Sequence, residues 1–268
     1  MFRARFEDAP QIALEELIEA VERTFRQDDE ASMEACGPML AGFAKDAGIL
    51  PRLVNAAIGA IIASRSVAPI RTPQSFLIAA RETFYVRCNL WMPLSESLRS
   101  RQYQERLYSL EVPHDHNFSF LTVGHLGPGY TTELYEYERS SVRGDIGEEV
   151  RLTPSGTYVL SPGDVMLYRQ GIDVHVQHQP AAPSASINLM FLSERNRREW
   201  QYLFDIESGR IAGLSGTAIR SRHELMRLAG EVGDAQTADL LDSISRDCPC
   251  LQTRAAGKRA LALLTAQA

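Results

Sequence analysis

The sequence predicts an α+β chain: an antiparallel β-barrel or sandwich in the middle, flanked by helices at both ends. Three observations predict it. Apolar residues recur at the 3.6-residue helical period near both ends of the chain. Between residues 84 and 192, short segments rich in β-branched and aromatic side chains alternate with turn residues, and no helical period intervenes. Five of the six histidines fall inside that central stretch, from His114 to His178. The expected layout is a helical segment over 1–70, a β-barrel over 71–195 and a second helical segment over 196–268.

In the first segment Asp8-Ala9-Pro10 is a helix-start signal, and Leu14, Leu17, Ile18, Val21 and Phe25 come after it on one face. A second helix is expected from about Met33 to Gly48, a glycine suited to end it. A third opens at Pro51 and carries Leu53, Val54, Ala57, Ile58, Ile61 and Ile62, a stripe expected to be buried. Near Gln74 the texture changes, and Phe84 to Trp91 reads as a strand. Further strands are expected at Phe118 to Val123, Tyr130 to Tyr137, Thr157 to Leu160, Val165 to Tyr168, Asp173 to Gln177 and Ser186 to Leu192. Turns such as Gly127-Pro128-Gly129 and Ser161-Pro162-Gly163-Asp164 divide them. After Ser193 helices return. Ser221 and Glu224 make a capping-box pair before Leu225, Leu228 and Val232; Asp234 suits the cap of the next helix; Pro249 opens a last one.

The 268 residues are 44% hydrophobic, enough for a packed core. A net charge of −6 with no cluster of Lys and Arg argues against nucleic acid as a partner. Arg195, Arg197 and Arg198 suit a solvated helix face. The N-terminus lacks the apolar stretch of a signal peptide, and no run approaches the ~18 apolar residues of a membrane span, so a cytoplasmic protein without a membrane partner is expected. Cys36, Cys88, Cys248 and Cys250 show no zinc C-x-x-C spacing, and Cys248-Pro249-Cys250 suits a helix-start turn with two incidental thiols.

His114-Asp115-His116 places two imidazoles on one face if the segment is extended, because side chains two apart on a strand point the same way. Two neutral imidazoles meeting at ~2 Å suit iron, copper, nickel or zinc. Alone, a surface or core pair explains the triplet equally well. Farther on, Pro162-Gly163-Asp164 turns into Val165 to Tyr168, and Arg169 to Asp173 then delivers Val174-His175-Val176. His175 shares a face with Gln177, whereas His178 leaves it. If that face is the barrel interior, His175 meets the H-x-H pair.

Together these stretches resemble the cupin superfamily. His114-Asp-His116 through Gly124 is similar to the family's first motif, and Ser161-Pro162-Gly163-Asp164 through His175 to its second. The likeness covers roughly residues 80 to 195 and leaves both helical ends outside it. It implies a cupin-type barrel, a double-stranded β-helix, with a divalent metal on His114, His116 and His175. Phe120 or Leu121 stands where the family's carboxylate ligand falls, so the ligand set looks like that of the three-histidine thiol dioxygenase branch, the cysteine dioxygenase-like enzymes. Glu133, on the next strand, is the alternative source of a carboxylate. His125 has the opposite parity from Phe120 and is expected to be structural or exposed.

The resemblance implies a mononuclear non-haem iron(II) oxygenase or oxidase acting with dioxygen on a small polar metabolite, such as an amino acid or thiol derivative. Zn, Mn, Ni and Cu are the alternative metals. Two other readings stay open: a non-enzymatic cupin that senses a ligand or metal, and a zinc or manganese isomerase or hydrolase. Parity nominates Tyr168 as a catalytic hydroxyl. Glu133 and Tyr135, which share a face, are candidates for substrate binding. Arg87, on a face with Asn89 and Trp91, is a candidate partner for a substrate carboxylate. The resemblance also implies that two copies pair through sheet edges as a homodimer.

Overall fold

The computed structural model describes residues 2–63, 70–72, 74–193, 199–215, 217–248 and 250–266. Arg195, Arg197, Arg198 and Pro249 lie outside the described residues. The chain forms two compact units: Met1–Tyr137 with Leu152–Ser193, and Glu138–Arg151 with Glu194–Ala268. The N-terminal helices are therefore not a segment of their own. Their apolar faces fold onto the central sheet of the first unit.

The first unit begins with β1 (Arg3–Arg5) and helices α1 (Leu14–Thr24), α2 (Glu30–Ala35), α3 (Gly37–Ala44) and α4 (Ile49–Ile62). It continues with β2 (Ile70–Thr72), β3 (Ser75–Ala80), β4 (Phe84–Trp91), α5 (Leu98–Tyr108), β5 (Phe120–Leu126) and β6 (Thr131–Glu136). Then come β7 (Thr153–Val159), β8 (Asp164–Tyr168), β9 (Asp173–Gln177) and β10 (Ser184–Phe191). Seven strands form one sheet in the order β1-β8-β5-β10-β4-β3-β2, and three form another in the order β7-β6-β9. All these pairings are antiparallel. The expected antiparallel α+β architecture is present as two sheets that share a buried inner face; among the described residues no ladder joins the one sheet to the other.

Strand alternation builds three layers. Leu121 and Val123 of β5, Leu167 of β8, Leu189 of β10 and Val86 of β4 pack with Leu17, Val21, Leu40 and Phe43 of the helices. The residues between them face the other way. Phe120, Met166, Tyr168, Met190 and Trp91 meet Tyr130 and Leu134 from the three-stranded sheet and its approach in a second buried cluster. Each fully buried large apolar side chain contributes on the order of 2 kcal/mol by leaving water, so both faces of the seven-stranded sheet are held. The second, inner face is where polar side chains collect.

Local departures have local causes. The single helix expected over 33–48 breaks into α2 and α3 at Cys36, because Pro38 in the first turn of α3 cannot continue a helix. In α4, Ala57 is buried but Ile58 and Ile62 are 50% and 79% exposed, so the stripe is only half covered. β1 is three residues long and α5 is mostly polar; neither has the repeating apolar pattern that marks an element in sequence.

The second unit contains a hairpin, β11 (Gln201–Asp205) and β12 (Arg210–Ser215), that the expected all-helical segment lacked. It also contains α6 (Thr217–Val232), α7 (Ala235–Asp247) and α8 (Leu251–Thr265). Asp234 caps α7 as expected, its carboxylate accepting from Thr237 N at 2.9 Å. Ser221 falls inside α6, so the capping-box reading there is corrected. Met226, Leu241, Ala256 and Ala260 form this unit's core. No helix is long and apolar enough to cross a membrane among the described residues.

Candidate metal centre

The centre is built from backbone outward. His114 and His175 form an isolated antiparallel bridge: His114 N donates to His175 O at 3.1 Å, and His175 N donates to His114 O at 3.0 Å. Residues paired this way carry their side chains on one face with adjacent Cβ atoms. His116, two residues on, returns to that face. The H-x-H segment thus works as an extended piece beside β9, not as part of a regular strand.

Several contacts hold the pieces in register. Between the two histidines Asp115 turns the other way, is fully buried, and accepts from the Tyr137 hydroxyl at 2.6 Å. The hairpin before β9 is clamped by Arg169, whose Nη2 donates to Asp173 Oδ1 at 2.7 Å and to Glu136 Oε1 at 2.6 Å. These carboxylates raise the Arg169 pKa, so its charge is fixed. Gly171 N then donates to His116 O at 2.9 Å, tying the hairpin to the H-x-H segment.

The three ring nitrogens converge. His175 Nε2 is 3.0 Å from His116 Nε2 and 3.0 Å from His114 Nε2. Nitrogens about 2.1 Å from one ion and at right angles to each other lie about 3.0 Å apart, so both edges fit a shared ion. His114 Nδ1 donates to Val112 O at 2.7 Å, which leaves its Nε2 lone pair aimed at the cluster. His175 Nδ1 is buried without a hydrogen-bond partner among the described residues. A proton on one nitrogen satisfies at most one of the two Nε2 contacts; a cation satisfies both.

Electrostatics keep the rings neutral. Burial, aided by the neighbouring imidazoles, pushes His175 well below the ordinary histidine pKa, and His175 is 1% exposed. Burial is also the largest cause for His116, aided by His114 and Arg87. His114 is lowered by burial against the opposing effect of its bond to Val112. Neutral imidazoles are the form that binds metal. Among the described residues, His114, His116 and His175 are the group of His, Cys, Asp and Glu side chains placed to hold an ion. The donor set fits a divalent metal.

Aromatic rings stand where a fourth ligand is absent. Phe120 is 3% exposed, stacks on Tyr168 with centroids 4.6 Å apart, and meets the His116 ring edge-on at 5.0 Å. Phe118 stacks on His116 at 4.7 Å. The Tyr168 ring is 4.8 Å from that of His175. Its hydroxyl contacts Thr132 Oγ1 at 3.5 Å, and burial drives its pKa far up, so it keeps its proton.

Arg87 lies on the inner face of β4. It pairs across the ladder with Asn188 of β10, which in turn pairs with Thr122 of β5. Its charge acts on both His116 and Tyr130.

Glu133 and Tyr135 are elsewhere. On β6, Leu134 pairs with His175 and faces the interior, so its neighbours Glu133 and Tyr135 point outward. There Glu133 accepts from Tyr135 OH at 3.1 Å and lies 3.0 Å from His178 Nε2, while Glu111 lies 2.8 Å from His178 Nδ1. The expectations that Glu133 completes the ligand set, and that Glu133 and Tyr135 line the site, are corrected. Strand parity told which residues share a face; it could not tell which face is inside. His125 meets its expectation, turning to the helix layer where Nδ1 donates to Ala44 O at 2.9 Å.

Sequence reasoning missed Tyr130. It is 2% exposed in the inner cluster, hydrogen-bonded to Tyr168, Thr122 and Gln177, and burial pushes its pKa up to about 12. The signal was present, because Tyr130 has the parity of Thr132 and Leu134.

No protein-family model and no curated protein matches the chain. Solved structures similar to it include cupin-superfamily proteins. A hydroquinone 1,2-dioxygenase from Sphingomonas sp. TTNP3 with bound 4-hydroxybenzoate is 10% identical, with a TM-score of 0.31 over 47% of this chain and 70% of that one. A cupin-superfamily sugar phosphate isomerase from Silicibacter pomeroyi is 14% identical, with a TM-score of 0.30 over 49% and 65%. A cupin domain from Bordetella pertussis is 13% identical, with a TM-score of 0.26 over 46% and 99%. The strands and imidazoles of this chain are its own evidence of class. They define a two-sheet antiparallel protein with a three-histidine centre competent to hold a metal.

Proposed function

We propose that the protein is a metal-dependent oxygenase or oxidase, with iron(II) on His114, His116 and His175, acting on a small polar anion such as an amino acid or thiol derivative. The single observation that carries this reading is the approach of three neutral Nε2 atoms to within bonding reach of one point. Iron(II) held by these three neutral ligands would keep its full charge, and the chemistry it would supply is oxidation by dioxygen.

The chain's own groups complement that chemistry. Neutral imidazoles add no negative charge, which favours an anionic substrate. Arg87 supplies a second positive charge on the same inner face, suited to a carboxylate. Phe118, Phe120 and Tyr168 pack their rings against the imidazoles of His116 and His175. Tyr168 holds its proton at Oη and can donate it as a hydrogen bond. The sulfur- and amino-acid-directed branch is preferred because, among the described residues, no carboxylate joins the three histidines.

The test is metal analysis of protein purified without added metal, followed by oxygen-electrode assays of the iron-loaded protein with L-cysteine, 3-mercaptopropanoate and other small amino and thiol acids. Bound iron and substrate-dependent oxygen uptake are expected. Zinc or manganese without oxygen uptake would favour an isomerase or hydrolase, and a protein that retains no metal would favour a non-enzymatic binding module.

A further inference from the structure

Asn89 and Ser75 carry a feature that the three histidines do not use. They pair directly across β4 and β3, so both side chains leave the sheet on the same face. That is the inner face, which also bears Arg87 two residues before Asn89 and Trp91 two residues after it. Asn89 is 5% exposed and Ser75 is 4% exposed. Among the described residues, neither Asn89 Oδ1 nor Ser75 Oγ has a hydrogen-bond partner.

The adjacent polar groups are already committed to one another. Trp91 Nε1 donates to Ser186 Oγ at 3.0 Å, Ser186 Oγ donates to Asn188 Oδ1 at 3.1 Å, and Thr122 Oγ1 donates to that same oxygen at 2.9 Å. A buried strand position ordinarily takes an apolar side chain, and native structures leave few buried polar atoms unsatisfied. Two such atoms side by side, next to a fixed positive charge, suit a ligand better than a core.

We infer that Asn89 and Ser75 form a subsite that binds the ammonium or hydroxyl group of a small carboxylate whose carboxylate pairs with Arg87. The carboxylate half rests on the role proposed above for Arg87; the donor half rests on Asn89 and Ser75 alone. Asn89 Oδ1 accepts from the ligand's N–H or O–H, and Ser75 Oγ accepts a second bond or donates to a hydroxyl oxygen. Alternate residues of a strand stand about 6.8 Å apart, a span that one small molecule bridges with a hydrogen bond at each end.

The experiment compares wild type with Ser75→Ala, Asn89→Leu and Arg87→Ala, using the metal-loaded protein and three probes that share a carboxylate: L-alanine, L-lactate and propanoate. Calorimetry gives their affinities, and thermal unfolding without probe gives stability. Wild type is expected to prefer L-alanine or L-lactate over propanoate by about tenfold or more, because a site that hydrogen-bonds a donor rejects the analogue lacking it. Ser75→Ala and Asn89→Leu should abolish that preference while unfolding at the same or a higher temperature, since no internal bond is lost. Unfolding several degrees lower in these two variants would make the pair structural and overturn the inference. So would wild type that binds the three probes alike, or none of them. Arg87→Ala separates the two readings: weaker binding of all three probes supports the carboxylate role, while unchanged propanoate binding beside a surviving preference removes that role and leaves the subsite.

Discussion

Two histidines three residues apart, on opposite sides of the three-stranded sheet, have opposite surroundings. His175 is 1% exposed and faces two other imidazoles across gaps of 3.0 Å, with no carboxylate in the group among the described residues. His178 sits past the end of β9 and partly exposed, with a carboxylate against each ring nitrogen. Identical side chains therefore have different chemistry. The inner one offers a lone pair to a cation; the outer one pairs with anions. The sheet wall makes the difference, because it excludes water and carboxylates from one side only.

The strongest way to break this contrast is substitution. His175→Ala should lower metal affinity by more than about 100-fold, and His178→Ala should leave it unchanged, as read by metal content after dialysis. If both lose metal alike, the two sides of the sheet are not distinct. The next largest effect lies in the clamp that delivers His175. Arg169→Ala leaves Asp173, 2% exposed, without its charged partner and should cost about 3–5 kcal/mol in denaturant unfolding. Removing the hydroxyl that Asp115 accepts from, in Tyr137→Phe, should cost about 1–3 kcal/mol by the same measurement.

On the outer side Glu133→Gln and Tyr135→Phe should change stability by less than about 1 kcal/mol and metal content not at all. The smallest effect concerns thiols on the helix-facing side. Cys36 and Cys88 are buried and pushed up to about 12, so at pH 8 neither should be alkylated in the native protein. Mass spectrometry should then count two labels, on Cys248 and Cys250, and four after unfolding.

What was legible in the sequence was whatever depends on local period and turn chemistry. Phe84–Trp91 and Asp173–Gln177 form the strands their alternation announces, and Pro162-Gly163-Asp164 turns where expected. His175 could be read because valines on both sides fix its parity and the turn ahead of it fixes its place. What was hidden depends on register between distant strands. Nothing local states that Leu134, rather than Glu133, faces His175, so two outer residues looked like site residues. Tyr130 and Asn89 each have a parity that the sequence shows, but only the pairing of β6 with β9, and of β4 with β10, tells that this parity faces inward. The helical layer was visible as helices but not as part of the β unit, because amphipathic faces do not name what they cover.

X-ray absorption at the iron edge of the iron(II)-loaded protein tests the three-imidazole centre most directly. Wild type should show three imidazole nitrogen scatterers at about 2.1 Å, and His175→Ala two or a loss of iron. A spectrum without imidazole scattering, or one identical in wild type and His175→Ala, would contradict the centre.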